Sequence, residues 1–130
     1  MALLFLDLDN FKAINDSLGH QCGDLVLQEF ARRLLALVRA HDTVARLAGD
    51  EFVIILAPLR DPDGAIHVAD KIVDAMRNPF QLPHLAHPVS TSIGIAIYHP
   101  GDTGEKMLQR ADKALYKVKA GGGGHCSLDK

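Results

Sequence analysis

Five apolar residues in a row, Val53-Ile54-Ile55-Leu56-Ala57, follow directly on Gly49-Asp50-Glu51-Phe52, and a β-branched run, Thr43-Val44-Ala45, precedes Arg46-Leu47-Ala48. Two strand-like runs around a short segment containing Gly and Asp read as a β-hairpin. Turn chemistry accounts for Gly49 and for one acid at the tip. It does not account for a second acid, Glu51, followed at once by a strand bound for the interior. The remainder of the chain must therefore supply strands beside this hairpin, helices over it, and a partner for its carboxylates.

The other bounds are soon set. At 130 residues the chain makes one domain with room for a core. Its 48% apolar and 23% charged residues are those of an ordinary soluble globule. A net charge of −2 with scattered basic residues gives no sign of a duplex-DNA surface, and no nucleic-acid partner is expected, but a nucleotide ligand stays open. Cys22 and Cys126 lie far apart with no metal-ligand spacing, which reads as two free thiols in a reducing, cytoplasmic compartment. Met1 to Leu6 is apolar but lacks a basic leader and runs straight into Asp7, so neither a signal peptide nor direct membrane contact is expected.

Leu3 to Asp9 reads as a strand, apolar on both faces at its start and acidic at its close, which suits the middle of a sheet. Period two sets Asp7 and Asp9 on one face. A strand so near the first residue suggests a piece of something longer. Asn10 to Gly23 should hold a short helix and a turn. From about Asp24 to Ala40, Leu27, Phe30, Leu34, Leu37 and Val38 recur at helical spacing, with Gln28, Glu29, Arg32, Arg33 and Arg39 largely on the other side. Asp61-Pro62-Asp63-Gly64 starts a second long helix that stops at Asn78-Pro79. Val89 to Tyr98 is a strand with one small face, Ser90, Ser92, Gly94 and Ala96, against which a helix or a ligand can lie closely. A third long helix is expected from about Thr103 to Ala120, after which Gly121 to Gly124 should end all regular structure. The order β, α, β, β, α, β, α implies an α+β fold, a central mostly antiparallel sheet with helices packed on it.

If the first strand neighbours the hairpin, Asp7, Asp50 and Glu51 converge. Like charges at that range need a proton or a cation. Oxygen ligands alone suit a hard ion, Mg²⁺ or Mn²⁺, held by a couple of carboxylates and completed by substrate phosphates, as in phosphoryl transfer. For Asp7 and Asp9 the plainer reading is a capped strand end.

These residues carry a resemblance. Phe5-Leu6-Asp7-Leu8-Asp9-Asn10-Phe11-Lys12, then Asn15-Asp16, Gly19-His20 and Gly23-Asp24, resemble the opening of the GGDEF domain of diguanylate cyclases. Arg46 to Phe52 resembles its signature loop, with Ala48 in the first glycine slot. Ser92 to Ala96 and Ala111 to Tyr116 match its later blocks. The resemblance implies a palm-like nucleotidyl cyclase fold over residues 1–120 without the family's usual opening segment, and a flexible Gly-rich tail over 121–130. It implies an enzyme that joins two GTP molecules into cyclic di-GMP and pyrophosphate across a homodimer. Asp7, the Leu8 carbonyl and Asp50 would hold Mg²⁺ or Mn²⁺, and Glu51 would assist as ligand or base. Asn10, Phe11 and Lys12 would cradle phosphates, Lys119 would meet the triphosphate, and Asn15 and Asp24 would read guanine.

The chemistry of guanine agrees with that last pair. Its N1 and N2 donors suit a carboxylate and its O6 suits an amide NH₂, whereas adenine reverses the pattern. Asp24 read alone also fits a helix N-cap. Arg39-Ala40-His41-Asp42 resembles the family's product-inhibition site; a guanidinium there can bond guanine O6 and N7, and a solvated arginine at a helix end is the alternative.

Two departures stand out. Ala48 replaces a glycine, at a cost of about 1–2 kcal/mol if the position needs positive φ. Gly123 stands where the family carries an arginine, a lost phosphate contact worth about 1.5–3 kcal/mol. The competing reading is a degenerate module that binds GTP or cyclic di-GMP and regulates an attached domain. A palm-type nucleotidyltransferase acting on nucleic acid is disfavoured for want of a basic groove.

Overall fold

The computed structural model describes residues 1–82 and 89–129. The elements run β1 (Ala2–Leu8), α1 (Phe11–Leu18), α2 (His20–Leu37), β2 (Thr43–Ala48), β3 (Glu51–Leu56), α3 (Pro62–Met76), β4 (Thr91–Ile97), α4 (Gly104–Ala120) and β5 (Cys126–Asp129). Among the described residues the sheet order is β2-β3-β1-β4-β5. β1 lies between β3 and β4, antiparallel to both; β2 and β3 form the hairpin, and β5 runs parallel to β4. The open, mostly antiparallel α+β sheet expected from the sequence is the one observed.

Each central strand is apolar on both faces because both are covered. Leu4, Leu6 and Leu8 of β1 point into the larger core with Ile54, Ile93 and Ile95, under Phe30, Leu34, Ile72 and Met76 from α2 and α3. Leu3 and Phe5 point the other way, to Val53, Ala96, Met107, Ala111 and Leu115 beneath α4. The small face of β4 serves that helix: a Cβ on Gly94 would stand 2.0 Å from the Ala111 carbonyl oxygen. Of the two explanations open from the sequence, helix packing is the one realised. Capping follows local chemistry, with the Asp61 side chain accepting from the Asp63 N–H ahead of α3 and Thr103 accepting from Lys106 ahead of α4.

Three expectations need correction. Regular structure does not end at the glycines: Cys126–Asp129 adds a parallel strand to β4. Its four residues are all half-buried and show no alternation, so the strand arises from pairing with an available edge rather than from local pattern. The long helix begins at His20, four residues before its expected start near Asp24. Asp24 is thus inside α2, and the N-cap reading fails. Arg33 is not on a solvent face either. Its guanidinium donates to the carbonyls of Ala75 (2.9 Å), Asn78 (2.8 Å) and Pro79 (3.1 Å) and lies 4.0 Å over the Phe80 ring, clipping α2 to the end of α3.

Candidate active site

Register decides which acids meet. Pairing Leu6 with Phe52 and Asp7 with Glu51 brings the acidic end of β1 against the hairpin tip. Phe52 anchors that tip from below, buried and edge-on to Phe30 with ring centroids 5.1 Å apart. Asp7 belongs to the α4 side of the sheet, the side of Leu3 and Phe5. Burial pushes its carboxyl above the usual range; Lys119 opposes this, while the nearby charges of Asp50 and Asp9 add to the upward push. Asp7, Asp50 and Glu51 therefore share one end of the sheet.

Lys119, in the last turn of α4, reaches down between the two β1 acids. Its ammonium is 2.7 Å from Asp7 Oδ1 and 2.8 Å from Asp9 Oδ1. Asp9 is buried and well supplied, accepting from Ser90 Oγ and Ser92 Oγ, both at 2.6 Å, and from Lys119. Burial works upward on its carboxyl, yet the bonds from Lys119, Ser90 and Ser92 outweigh it and hold the group below the usual range. The capped strand end thus accounts for Asp9. It does not account for Asp7, whose buried Oδ1 faces the ammonium but receives no hydrogen bond of acceptable geometry.

No set of three or more His, Cys, Asp or Glu among the described residues is gathered to hold a metal ion. Mg²⁺ asks for less, taking one or two carboxylates and leaving its other positions to water and substrate phosphates. A buried carboxylate oxygen met by a cation but by no well-aligned hydrogen bond fits such an ion, with the Lys119 ammonium in the place next to it. Asp7, Asp50 and the Leu8 carbonyl, where β1 ends, could hold such an ion.

Beside the mouth lies a cavity of about 440 Å³ lined by Asp24, Leu27, Gln28, Ala31, Arg46 and Phe52. Asp24 is exposed and lines this cavity together with Arg46 and Phe52 of the hairpin. Asn15 of α1 rests on the backbone of Gly23, where a Cβ would fall 1.7 Å from Asn15 Oδ1. The absent side chain at Gly23 is what lets Asn15 stand next to Asp24. Gly23→Ala is accordingly expected to displace the Asn15 amide while leaving the melting temperature nearly unchanged; thermal unfolding and the side-chain amide resonances of Asn15 check it. Asn10 enters α1 in the left-handed region, φ 59°, which asparagine tolerates, and Phe11 and Lys12 form the first turn of that helix. N–H groups in a first helical turn suit an anion.

The family model described as diguanylate cyclase, GGDEF domain, matches residues 1–125. The chain belongs to the GGDEF family. It is 48% identical over 131 residues to the bifunctional diguanylate cyclase/cyclic di-GMP phosphodiesterase MucR of Pseudomonas aeruginosa, covering 98% of this chain and 19% of that protein. It is 47% identical over 122 residues to the diguanylate cyclase TpbB of the same species, covering 92% of this chain and 28% of TpbB. The chain thus spans less than a third of the length of these relatives. Among solved structures, the isolated GGDEF domain of TpbB superposes with a TM-score of 0.93 at 43% identity, covering 99% of this chain and 76% of that one. The GGDEF domain of DgcB from Caulobacter crescentus, solved in complex with c-di-GMP, superposes with a TM-score of 0.92 at 29% identity, covering 98% of this chain and 77% of that one.

Within this GGDEF domain the two departures of sequence resolve differently. Ala48 is the last residue of β2, paired with Glu51 past a bulge, and does not have positive φ; Gly49 does, at 47°. Alanine in the first glycine slot therefore carries no backbone strain. Arg46 Nε closes the turn by donating to the Gly49 carbonyl at 2.8 Å. Gly123 is another matter. It has φ +75°, and a Cβ there would stand 3.0 Å from Asp9 Oδ1 and 3.1 Å from Ser92 Oγ. The tail backbone occupies the space beside Asp9, so an arginine at this position would be strained.

Arg39 and Asp42 lie elsewhere. The hairpin opens toward Ala2, which pairs with Leu56, five residues along β1 from the Asp7–Glu51 pair and so about 17 Å away at 3.4 Å per residue. α2 ends at Leu37, so Arg39 is not on its last turn. It donates through Nε and Nη2 to Asp42 at 3.2 and 3.1 Å and to the Pro58 carbonyl at 2.9 Å. Burial works upward on Asp42, but its bonds from Arg39 and from the Ala57 N–H hold it low. Asp42 thus orients the arginine. Arg39, but not Asp42, borders a cavity of about 460 Å³ together with His41, Pro58 and Arg60. What sequence reasoning missed is the part of Ser90 and Ser92, which seat Asp9. They were visible only as small residues.

Proposed function

We propose that this chain is a diguanylate cyclase domain that condenses two GTP molecules into cyclic di-GMP with release of pyrophosphate. The observation that carries the reading is the strand register that sets the Asp50–Glu51 tip against Asp7, whose buried Oδ1 has a countercharge but no donor. The 3′-hydroxyl of each GTP would attack the α-phosphorus of the other, forming the new P–O bond as the bond to pyrophosphate breaks. That geometry asks for two copies facing each other, a C2 homodimer. Bound Mg²⁺ or Mn²⁺ would offset charge on the triphosphate and ease deprotonation of the hydroxyl. Asp7, Leu8 and Asp50 hold that ion; Glu51 serves as a further ligand or as base. The N–H groups at Asn10, Phe11 and Lys12 and the Lys12 ammonium bind phosphates, Lys119 approaches them from α4, and Asn15 with Asp24 selects guanine.

A second reading, a module that binds GTP or cyclic di-GMP without turnover, is favoured by one observation: the glycine at 123 is wedged against Asp9, leaving the triphosphate one cation short. Incubating a forced dimer of the domain with Mg²⁺ and GTP separates the two. Cyclic di-GMP as product supports the cyclase; GTP bound but unconverted by a dimeric, metal-loaded sample supports the module. Cyclic di-GMP is also proposed as the ligand of Arg39 and Asp42. Arg39→Ala should weaken its binding by about tenfold or more, as expected for loss of a bidentate guanine contact worth about 1–3 kcal/mol, while Asp50→Ala leaves it unchanged. Equal binding by Arg39→Ala and the parent would remove that pair from the site.

A further inference from the structure

We propose that Lys119 is a resident countercation of the acidic mouth, one that yields Asp7 but not Asp9 to a divalent ion. The inference rests on the reading of the mouth as metal-binding and adds a control on when a metal enters. Its basis is the unequal support of the two carboxylates. Asp9 accepts from Ser90 and Ser92 at 2.6 Å and from the ammonium at 2.8 Å, and the Gly124 N–H donates to Ser92 Oγ at 3.0 Å behind it. Asp7 has only the ammonium, 2.7 Å away but outside hydrogen-bond geometry, and its Oδ1 is buried. The bond to Asp9 is the directed one, so it is the contact Lys119 keeps. The contact to Asp7 is charge alone, which a doubly charged ion supplies more strongly.

Two consequences follow for this chain. Without nucleotide, an ion at Asp7 would sit beside an ammonium still fastened to Asp9, and their repulsion weakens metal binding. A triphosphate relieves this, since its oxygens attract both cations and the ammonium has donors to spare. Metal and nucleotide thus favour each other's binding, and by linkage the effect is reciprocal. Lys119 is a positioning residue in this respect, acting on the metal through Asp7.

The test is Mn²⁺ binding to the whole nucleotide-free chain, followed by loss of the free-ion EPR signal. Lys119→Met, close in shape but uncharged, should bind Mn²⁺ at least about tenfold more tightly than the parent, as removal of one unit charge at this range allows. Lys119→Arg, which keeps the charge, should bind no more tightly than the parent, and Asp7→Asn should lose the site. Equal affinity in Lys119→Met and the parent, both abolished by Asp7→Asn, would overturn the countercation and leave the metal reading standing. Mn²⁺ binding that no change at Asp7 alters would overturn both. Should Lys119→Met fail to fold by circular dichroism, the ¹⁵N resonance of the Lys119 ammonium in the parent decides. A shift on adding Mg²⁺ without nucleotide supports the proposal, and an unmoved resonance overturns it.

Discussion

For the cyclase proposed above, Asp50→Ala is expected to lower the rate of cyclic di-GMP formation from GTP by at least about a thousandfold, the several kcal/mol that charge neutralisation of a reacting phosphoryl group contributes. Asp50 stands in the two-residue turn between β2 and β3, half-exposed, with Phe52 rather than itself seated in the core. The substitution therefore removes chemistry and not packing, and the melting temperature should move by no more than about 2 °C, as for a surface change within about ±0.5 kcal/mol of neutral. Asp50→Glu keeps an oxygen ligand on a longer arm and should recover part of the rate. An Asp50→Ala domain that makes cyclic di-GMP at the parental rate would detach the hairpin tip from the reaction, whatever the family.

Gly94→Val destabilises the fold by about 3 kcal/mol or more, at the upper end of overpacking effects. The atoms a side chain would meet are not flexible ends. They are the Ala111 carbonyl oxygen at 2.0 Å and the Leu115 amide nitrogen at 2.5 Å, the backbone of α4 itself. Relief requires the helix to lift, and lifting uncovers Met107, Ala111 and Leu115, the helix's share of the smaller core. Against a total stability of about 5–15 kcal/mol this is a large fraction. Urea unfolding should show a lower midpoint at an unchanged slope. A loss under about 1 kcal/mol would mean that α4 does not press on β4 as closely as described. Because Lys119 rides on the same helix, a folded remnant should also bind GTP poorly.

Much of this was legible before any coordinates. Alternation and apolar runs marked β1, β3 and β4, because strands buried on both faces have few other compositions. The acids at the close of β1 and at the hairpin tip were visible as chemistry without a structural purpose. Their meeting depended on one pairing, β1 with β3, that no local pattern encodes. β5 was invisible because Cys126-Ser127-Leu128-Asp129 has no period and follows four glycines; only the free edge of β4 makes it a strand. The start of α2 was misplaced because the apolar stripe begins later than the helix, and with it went the N-cap reading of Asp24. Arg33 looked solvent-facing since its partners lie 42 to 46 residues away. Lys119 could be assigned to a helix, but not to the gap between Asp7 and Asp9, which exists only once α4 crosses the sheet.

The short parallel strand has a mechanical implication. β5 is hydrogen-bonded along β4, and the loop that leads into it donates from Gly124 to Ser92, which itself holds Asp9. Tension applied along β5 would travel two hydrogen bonds, Gly124 to Ser92 and Ser92 to Asp9, before reaching a carboxylate beside Lys119. Cutting the backbone at His125 would release Ser92 on one side and bare the edge of β4 on the other. β5 and the loop before it are in this sense a tether on the Asp9 carboxylate.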